Sequence, residues 1–164
     1  TVIDFGEITG KDPITSLDYN RIRNNSYSPR MSGCLYEYVQ LYALMGETKK
    51  ATKLGKKLMN IYNSVFSFFE NSNAMIAIEP GTMNSNRDDL FAASDACFKI
   101  QKAVQGMEFE KEVTASLDKL YGEVLPEMEN ELSTLGLSEN MEALNQLFKE
   151  HMANMAAEYN YTLK

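Results

Sequence analysis

The sequence is poor in the residues that most often carry chemistry. Its 164 residues include one histidine, His151, and two cysteines, Cys34 and Cys97. A zinc site needs several nitrogen or sulfur ligands at close spacing, and neither cysteine belongs to a CxxC pair. Glu150 stands beside His151, but neighbours on a helix point about 100° apart and do not share a ligand. The cysteines fall on separate predicted helices and read as small buried hydrophobes. In an oxidising compartment a disulfide between them is the alternative. One histidine among scattered serines gives no Ser-His-Asp constellation, and "GETKK" lacks the phosphate-loop pattern. Asp88, Asp89 and Asp95 lack EF-hand spacing, and the first two suit a helix N-terminus. Glu108, Glu110 and Glu112, like Glu127, Glu129 and Glu131, alternate at intervals of two and spread around a solvated helix surface. The expectation is no catalytic residue, no metal and no cofactor.

Positive charge is also short. Sixteen Lys and Arg face 23 Asp and Glu, for a formal charge of −7 and a pI near 4.8. Nucleic-acid binding rests on phosphate neutralisation, so no nucleic-acid partner is expected. No apolar run approaches the roughly 18 residues that span a bilayer; the richest, Ile61 to Phe69, is broken by Asn63, Ser64 and Ser67. The N-terminus shows no charged-then-apolar leader. It begins at Thr1, which reads as a processed chain or a piece of a longer one. With 44% hydrophobic and 24% charged residues, the length fits one globular domain with a real core.

What is present is helical periodicity. Residues 1–27 are broken by Gly6, Gly10 and Pro13 and read as an irregular arm or linker remnant; the helical domain is expected over 28–164. Ser28-Pro29 suits a helix start, and Leu35, Tyr38, Val39, Tyr42 and Met45 form a stripe that Gly46 closes. In the next helix Ala51, Leu54, Leu58, Ile61, Tyr62, Val65 and Phe69 cluster within about 100° of a wheel, up to about Asn71. "NAMIAIEPGTMNSNRD" reads as a loop. Asn86 caps a third helix carrying Leu90, Phe91, Ala93, Cys97, Phe98, Ile100 and Val104, ended by Gly106. A fourth covers Glu108 to Leu135 with Val113, Leu117, Leu120, Tyr121, Val124 and Met128 inward; Pro126 is expected to kink or divide it. Ser138 caps the last helix, whose stripe is Leu144, Leu147, Phe148, Met152, Met155 and Tyr159. Met141, Met152 and Met155 fill irregular core gaps, with a Met-rich binding surface as the alternative. The fold class is all-α: about five helices in antiparallel hairpins, since several connections are short.

The first pair has a further pattern. Tyr42, Gly46 and Ala51 stand at the aromatic, glycine and small-residue intervals of the tetratricopeptide helix–turn–helix of about 34 residues. Val39 and Gly55 depart from it, and no second copy follows. "YNRIRNN" with "YVQLYALMGETKKATKLGKKLMNIYNSVFSFF" resembles the C-terminal soluble region of a family of Bacteroidetes multi-spanning membrane proteins of unknown function. Their membrane part resembles protein O-mannosyltransferases. The likeness covers roughly Tyr19 to Phe69. It implies a helical domain beside a membrane, on the periplasmic side of a larger membrane protein; the cytoplasmic side is the alternative. The family's presumed catalytic groups would lie in the membrane part, so no catalytic residue carries over.

Two surfaces follow. Lys49, Lys50, Lys53, Lys56 and Lys57 lie opposite the apolar stripe of their helix. Lys49, Lys53, Lys56 and Lys57 are candidates for contact with an anionic membrane surface or an acidic partner, against a plain solvated face. In repeat geometry Tyr36, Gln40 and Ala43 would line a partner groove. The function expected is a non-catalytic protein-interaction or scaffold domain, whose partner is a protein or its own membrane domain. The rivals are an accessory domain shaping substrate access for a glycosyltransferase-like membrane enzyme, and a freestanding helical-bundle binding protein that associates through aromatic and Met surfaces.

Overall fold

The structure, a computed structural model, describes residues 35–79 and 86–163. The expected arm over 1–27, the Ser28-Pro29 helix start and Cys34 lie outside them. Every regular element among the described residues is helical. In chain order these are α1 (Tyr36–Leu44), α2 (Thr48–Asn71), a single turn α3 (Met75–Ile78), α4 (Asn86–Ala103) and α5 (Glu110–Lys119). A π-helical segment (Leu120–Val124), α6 (Leu125–Ser133) and α7 (Glu139–Glu158) complete the order.

Gly46 adopts φ 75°, the left-handed region, and so reverses the chain between α1 and α2. Its N–H donates to the Ala43 carbonyl and that of Glu47 to the Tyr42 carbonyl, the paired bonds of a Schellman end. α2 then folds back on α1, and α4 packs on both. Ala51, Leu54, Leu58, Ile61, Tyr62 and Phe69 of α2 are buried as the wheel requires, joined by Gly55, Met59 and Phe66; Val65 is half-buried. From α4, Leu90, Ala93, Cys97, Phe98, Ile100 and Val104 complete this core. Cys97 is a fully buried free thiol whose Sγ lies 3.8 Å from Met59 Sδ.

Three expectations need correction. The stretch read as a loop contains α3, whose Ala77 and Ile78 are buried. Asn73 Oδ1 accepts from the Met75 N–H, and the apolar turn docks between α4 and α7. Tertiary burial, not propensity, forms it. The fourth helix is divided by a π turn over Leu120–Val124, just ahead of Pro126 rather than at the proline itself. The Leu125 N–H donates to Leu120, an i→i+5 bond. Leu147 does not belong to the inner stripe of α7; it is 61% exposed. Phe148, Met152, Met155 and a polar residue, Asn145, face inward instead.

The chain closes on the core after α7. Asn160 takes φ 53°, and a second Schellman pair forms from Tyr161 N–H to Ala156 O and Asn160 N–H to Ala157 O. This turn lays Tyr159 flat on Phe98, with centroids 4.9 Å apart, and brings Tyr161 against both Phe98 and Tyr121. Lys99 of α4 bridges Asp95 at 2.8 Å and the Tyr36 hydroxyl at 3.1 Å, while Tyr159 donates to the other Asp95 oxygen.

Candidate functional site

The site of most interest grows out of the π-helical segment. Leu120, Val124, Met128 and Leu132 are all buried and recur every four residues. On a pure α-helix, with 3.6 residues per turn, each such step drifts about 40°. The widened i→i+5 turn underwinds the helix over Leu120–Val124, ahead of the α-helical turns that carry Met128 and Leu132. It also suits Pro126, which has no N–H to donate to the preceding turn. Single π-turns inside helices are frequent at functional positions.

The segment turns Tyr121, Leu125 and Met128 toward α7. Ser138 starts that helix by accepting the Met141 N–H at 3.3 Å, and Asn145, Phe148, Lys149, Met152 and Ala153 line its facing side. Those positions follow an i, i+3, i+4, i+7, i+8 pattern, one helix face. The backbone of α7 approaches α3 rather than α6, so a groove stays open between α6 and α7. Its volume is about 250 Å³, and Pro126 and Leu132 complete its walls.

Two contacts span the groove. The Tyr121 hydroxyl donates to the Met152 carbonyl at 2.8 Å, and burial raises the Tyr121 pKa above its ordinary value, with Cys97 adding to the effect. Lys149 Nζ meets Glu129 Oε1 at 2.9 Å as a half-exposed ion pair. One turn before Lys149 on the same face sits Asn145, 4% exposed, whose Oδ1 has no hydrogen-bond partner. A buried acceptor left without a donor costs about 1–3 kcal/mol. The groove is therefore a mostly apolar trough, with the Asn145 oxygen sealed in its wall.

The surfaces expected from sequence lie away from this groove, on α1 and α2. Tyr36, Gln40 and Ala43 share one side of α1 and are half-buried. Tyr36 is engaged by α4, with Lys99 Nζ over its ring at 4.7 Å as well as on its hydroxyl. Lys49, Lys53 and Lys56 are exposed and Lys57 is half-buried. Lys56 pairs with Glu112 of α5 at 3.3 Å, and Lys50 lies over the Tyr42 ring. Two members of the row thus meet an acidic and an aromatic group of their own chain. His151 stacks on Phe91, with centroids 3.9 Å apart, beside a second hollow of about 320 Å³ that Asp95 and Glu158 also line. Among the described residues, no group of three or more His, Cys, Asp or Glu side chains is placed to hold a metal ion.

Sequence reasoning missed the groove. Asn145 lies at i, i+3 and i+7 with Phe148 and Met152, a signal that puts a polar residue on the inner face. No protein-family model matches the chain, and no curated protein or solved structure matches it either.

Proposed function

We propose that this chain is a non-catalytic helical interaction domain that receives a segment of a partner protein in the α6–α7 groove. The observation that carries this is the open, mostly apolar trough between two helices, lined by Tyr121, Leu125, Met128, Phe148 and Met152. Pockets with a mostly apolar lining and few convergent polar groups are the default binding sites of proteins. The two wall helices meet the partner as a rigid frame, because Tyr121 and the Glu129–Lys149 pair tie them together.

The tetratricopeptide-like spacing of Tyr42, Gly46 and Ala51 supports the same class of function. The resemblance of Tyr19 to Phe69 to the soluble region of a multi-spanning membrane family supports a location beside a membrane, on its periplasmic side, as one part of a larger protein. Among the described residues no helix is long and apolar enough to cross a membrane.

The test is selection of a displayed peptide library on the folded chain, followed by calorimetry. Peptides that bind one to one with a negative heat-capacity change are expected, and Ala153→Phe, which fills the groove from an exposed lining position, weakens them at least tenfold. Binding indifferent to that substitution, or no enrichment, overturns the proposal.

A further inference from the structure

We propose that the turn joining α1 to α2 is a docking tip for an anionic lipid surface, built on elements other than those of the α6–α7 groove. Three aliphatic side chains protrude there. Leu44 is 86% exposed, Met45 52% and Leu41 38%. Met45, expected on the inner stripe of α1, is turned outward, because the buried stripe ends at Tyr42 and the chain reverses at Gly46. The three stand at i, i+3 and i+4, the spacing of one helix side. Leaving them in water forgoes the gain that burial of apolar area brings.

Lysines border the tip. Lys49, Lys50 and Lys53 follow on the exposed side of the first two turns of α2. Lys50 Nζ lies 5.6 Å from the centre of the Tyr42 ring, which ties this row to the last turn of α1. The first turn of α2 has no acidic residue. The macrodipole disfavours cations at that end, so the helix itself does not select Lys49 and Lys50 there. Between Tyr38 and Phe69 the chain has five lysines and one glutamate, Glu47, whereas its other residues include 11 basic and 22 acidic ones. Positive charge is gathered at one place on an acidic molecule.

The residue types identify the partner. Protein interfaces favour aromatic residues, methionine and arginine and are depleted in lysine. Apart from Met45, the side chains of the tip are of other types. A bilayer surface suits them. Aliphatic side chains enter the boundary between headgroups and acyl chains, and lysines meet anionic headgroups. A fluid surface also needs no matching hollow for a protruding leucine. The acidic remainder of the chain is repelled by the same lipid, which sets the orientation. Lysines alone would fit a solvated face equally well; the exposed Leu41, Leu44 and Met45 beside them decide for lipid.

The test is flotation of the full chain with vesicles of phosphatidylcholine, alone or mixed with phosphatidylglycerol, and injection beneath monolayers of the same lipids. The expected result is binding to the phosphatidylglycerol vesicles only, falling as salt is raised. A rise in monolayer surface pressure should accompany it and mark insertion. Leu44→Ser with Met45→Ser lowers binding about fivefold or more and removes the pressure rise. Lys49→Gln with Lys50→Gln lowers binding by about fivefold or more as well, and thermal melts show that both double variants are folded. Binding that survives the loss of Leu44 and Met45, or that comes without a pressure rise, is surface charge alone and overturns the tip. No binding to phosphatidylglycerol vesicles overturns it too. If the chain ignores lipid and instead self-associates in a way that Leu44→Ser abolishes, the tip is a contact between copies and the proposal falls. None of these results depends on the groove, whose receptor role stands or falls with Ala153→Phe.

Discussion

Phe109 lays its ring on the backbone of Gly55. A Cβ placed on Gly55 overlaps Cε1 of that ring and stands 3.0 Å from Cζ. Gly55 is buried in the middle of α2, and Phe109 is 3% exposed just ahead of α5. The glycine that departs from the tetratricopeptide spacing is thus a socket for the residue that brings the second half of the chain onto the first.

Gly55→Ala reverses the usual sign of a helical glycine substitution. In an open helix the change gains about 1 kcal/mol. Here the new methyl meets a buried ring, and overpacking costs about 1–3 kcal/mol. The expected result is a net loss of about 1–2 kcal/mol in urea unfolding, with Gly55→Leu losing more. A double variant adding Phe109→Leu recovers part of the loss, and the resulting cycle measures the coupling. An increase in stability for Gly55→Ala alone would falsify the socket.

The closing turn after α7 is structural. Truncation after Glu158 removes Tyr159 and Tyr161 from Phe98 and Tyr121, and a loss of at least about 3 kcal/mol is expected, in line with buried aromatic deletions. Tyr159→Phe keeps the stack and removes the hydroxyl bond to Asp95, so it loses about 1 kcal/mol. Chemical denaturation of the three chains checks the order.

Alkali should unfold this protein early. Burial, aided by the Asp95 bond, raises the Tyr159 pKa; burial and the Asp118 bond do the same for Tyr161. Burial also pushes the Cys97 thiol up. For Lys99, partial burial pulls downward, but hydrogen bonds to Asp95 and Tyr36 and the Asp95 charge outweigh it. In all four the folded pKa lies above the unfolded one, so the unfolded chain binds fewer protons once pH rises past its own values. Stability is complete below about pH 8.5 and falls from there, steeply beyond about pH 10 where unfolded tyrosines ionise. Melting temperature against pH checks it: a plateau below about pH 8.5 and a steep fall beyond about pH 10 are expected.

Asn145→Leu should stabilise the free protein. It replaces an unpartnered buried acceptor by carbon of similar size, which recovers about 1 kcal/mol of desolvation. A rise in melting temperature is the expected readout. A fall would mean that the amide already has a partner in solution.

The helices were legible wherever one apolar face sufficed to define them. Ala51 to Phe69 shows this in α2, and Ser138 was recognisable as a cap because it precedes a periodic run. Legibility failed where tertiary contacts decide. Met75 to Ile78 is too short to show a period and is helical because α4 and α7 cover it. Pro126 marks where the fourth helix changes, but the form of the change, a π turn over Leu120–Val124, is not legible from i, i+4 spacing that any amphipathic α-helix shares. The candidate groove depends on how far α7 stands from α6, which no local pattern encodes. Leu147 reads as inward because it is apolar, yet α7 exposes it and buries the polar Asn145 instead.

The seam holding Cys97 has a practical corollary. With its thiol sealed against Met59 between α2 and α4, a thiol reagent reaches it when those helices part. In a Cys34→Ser background the rate of labelling becomes a clock for opening of the core, read without any added probe. A ligand that clamps the folded state would slow that clock in proportion to the population it removes from the open form.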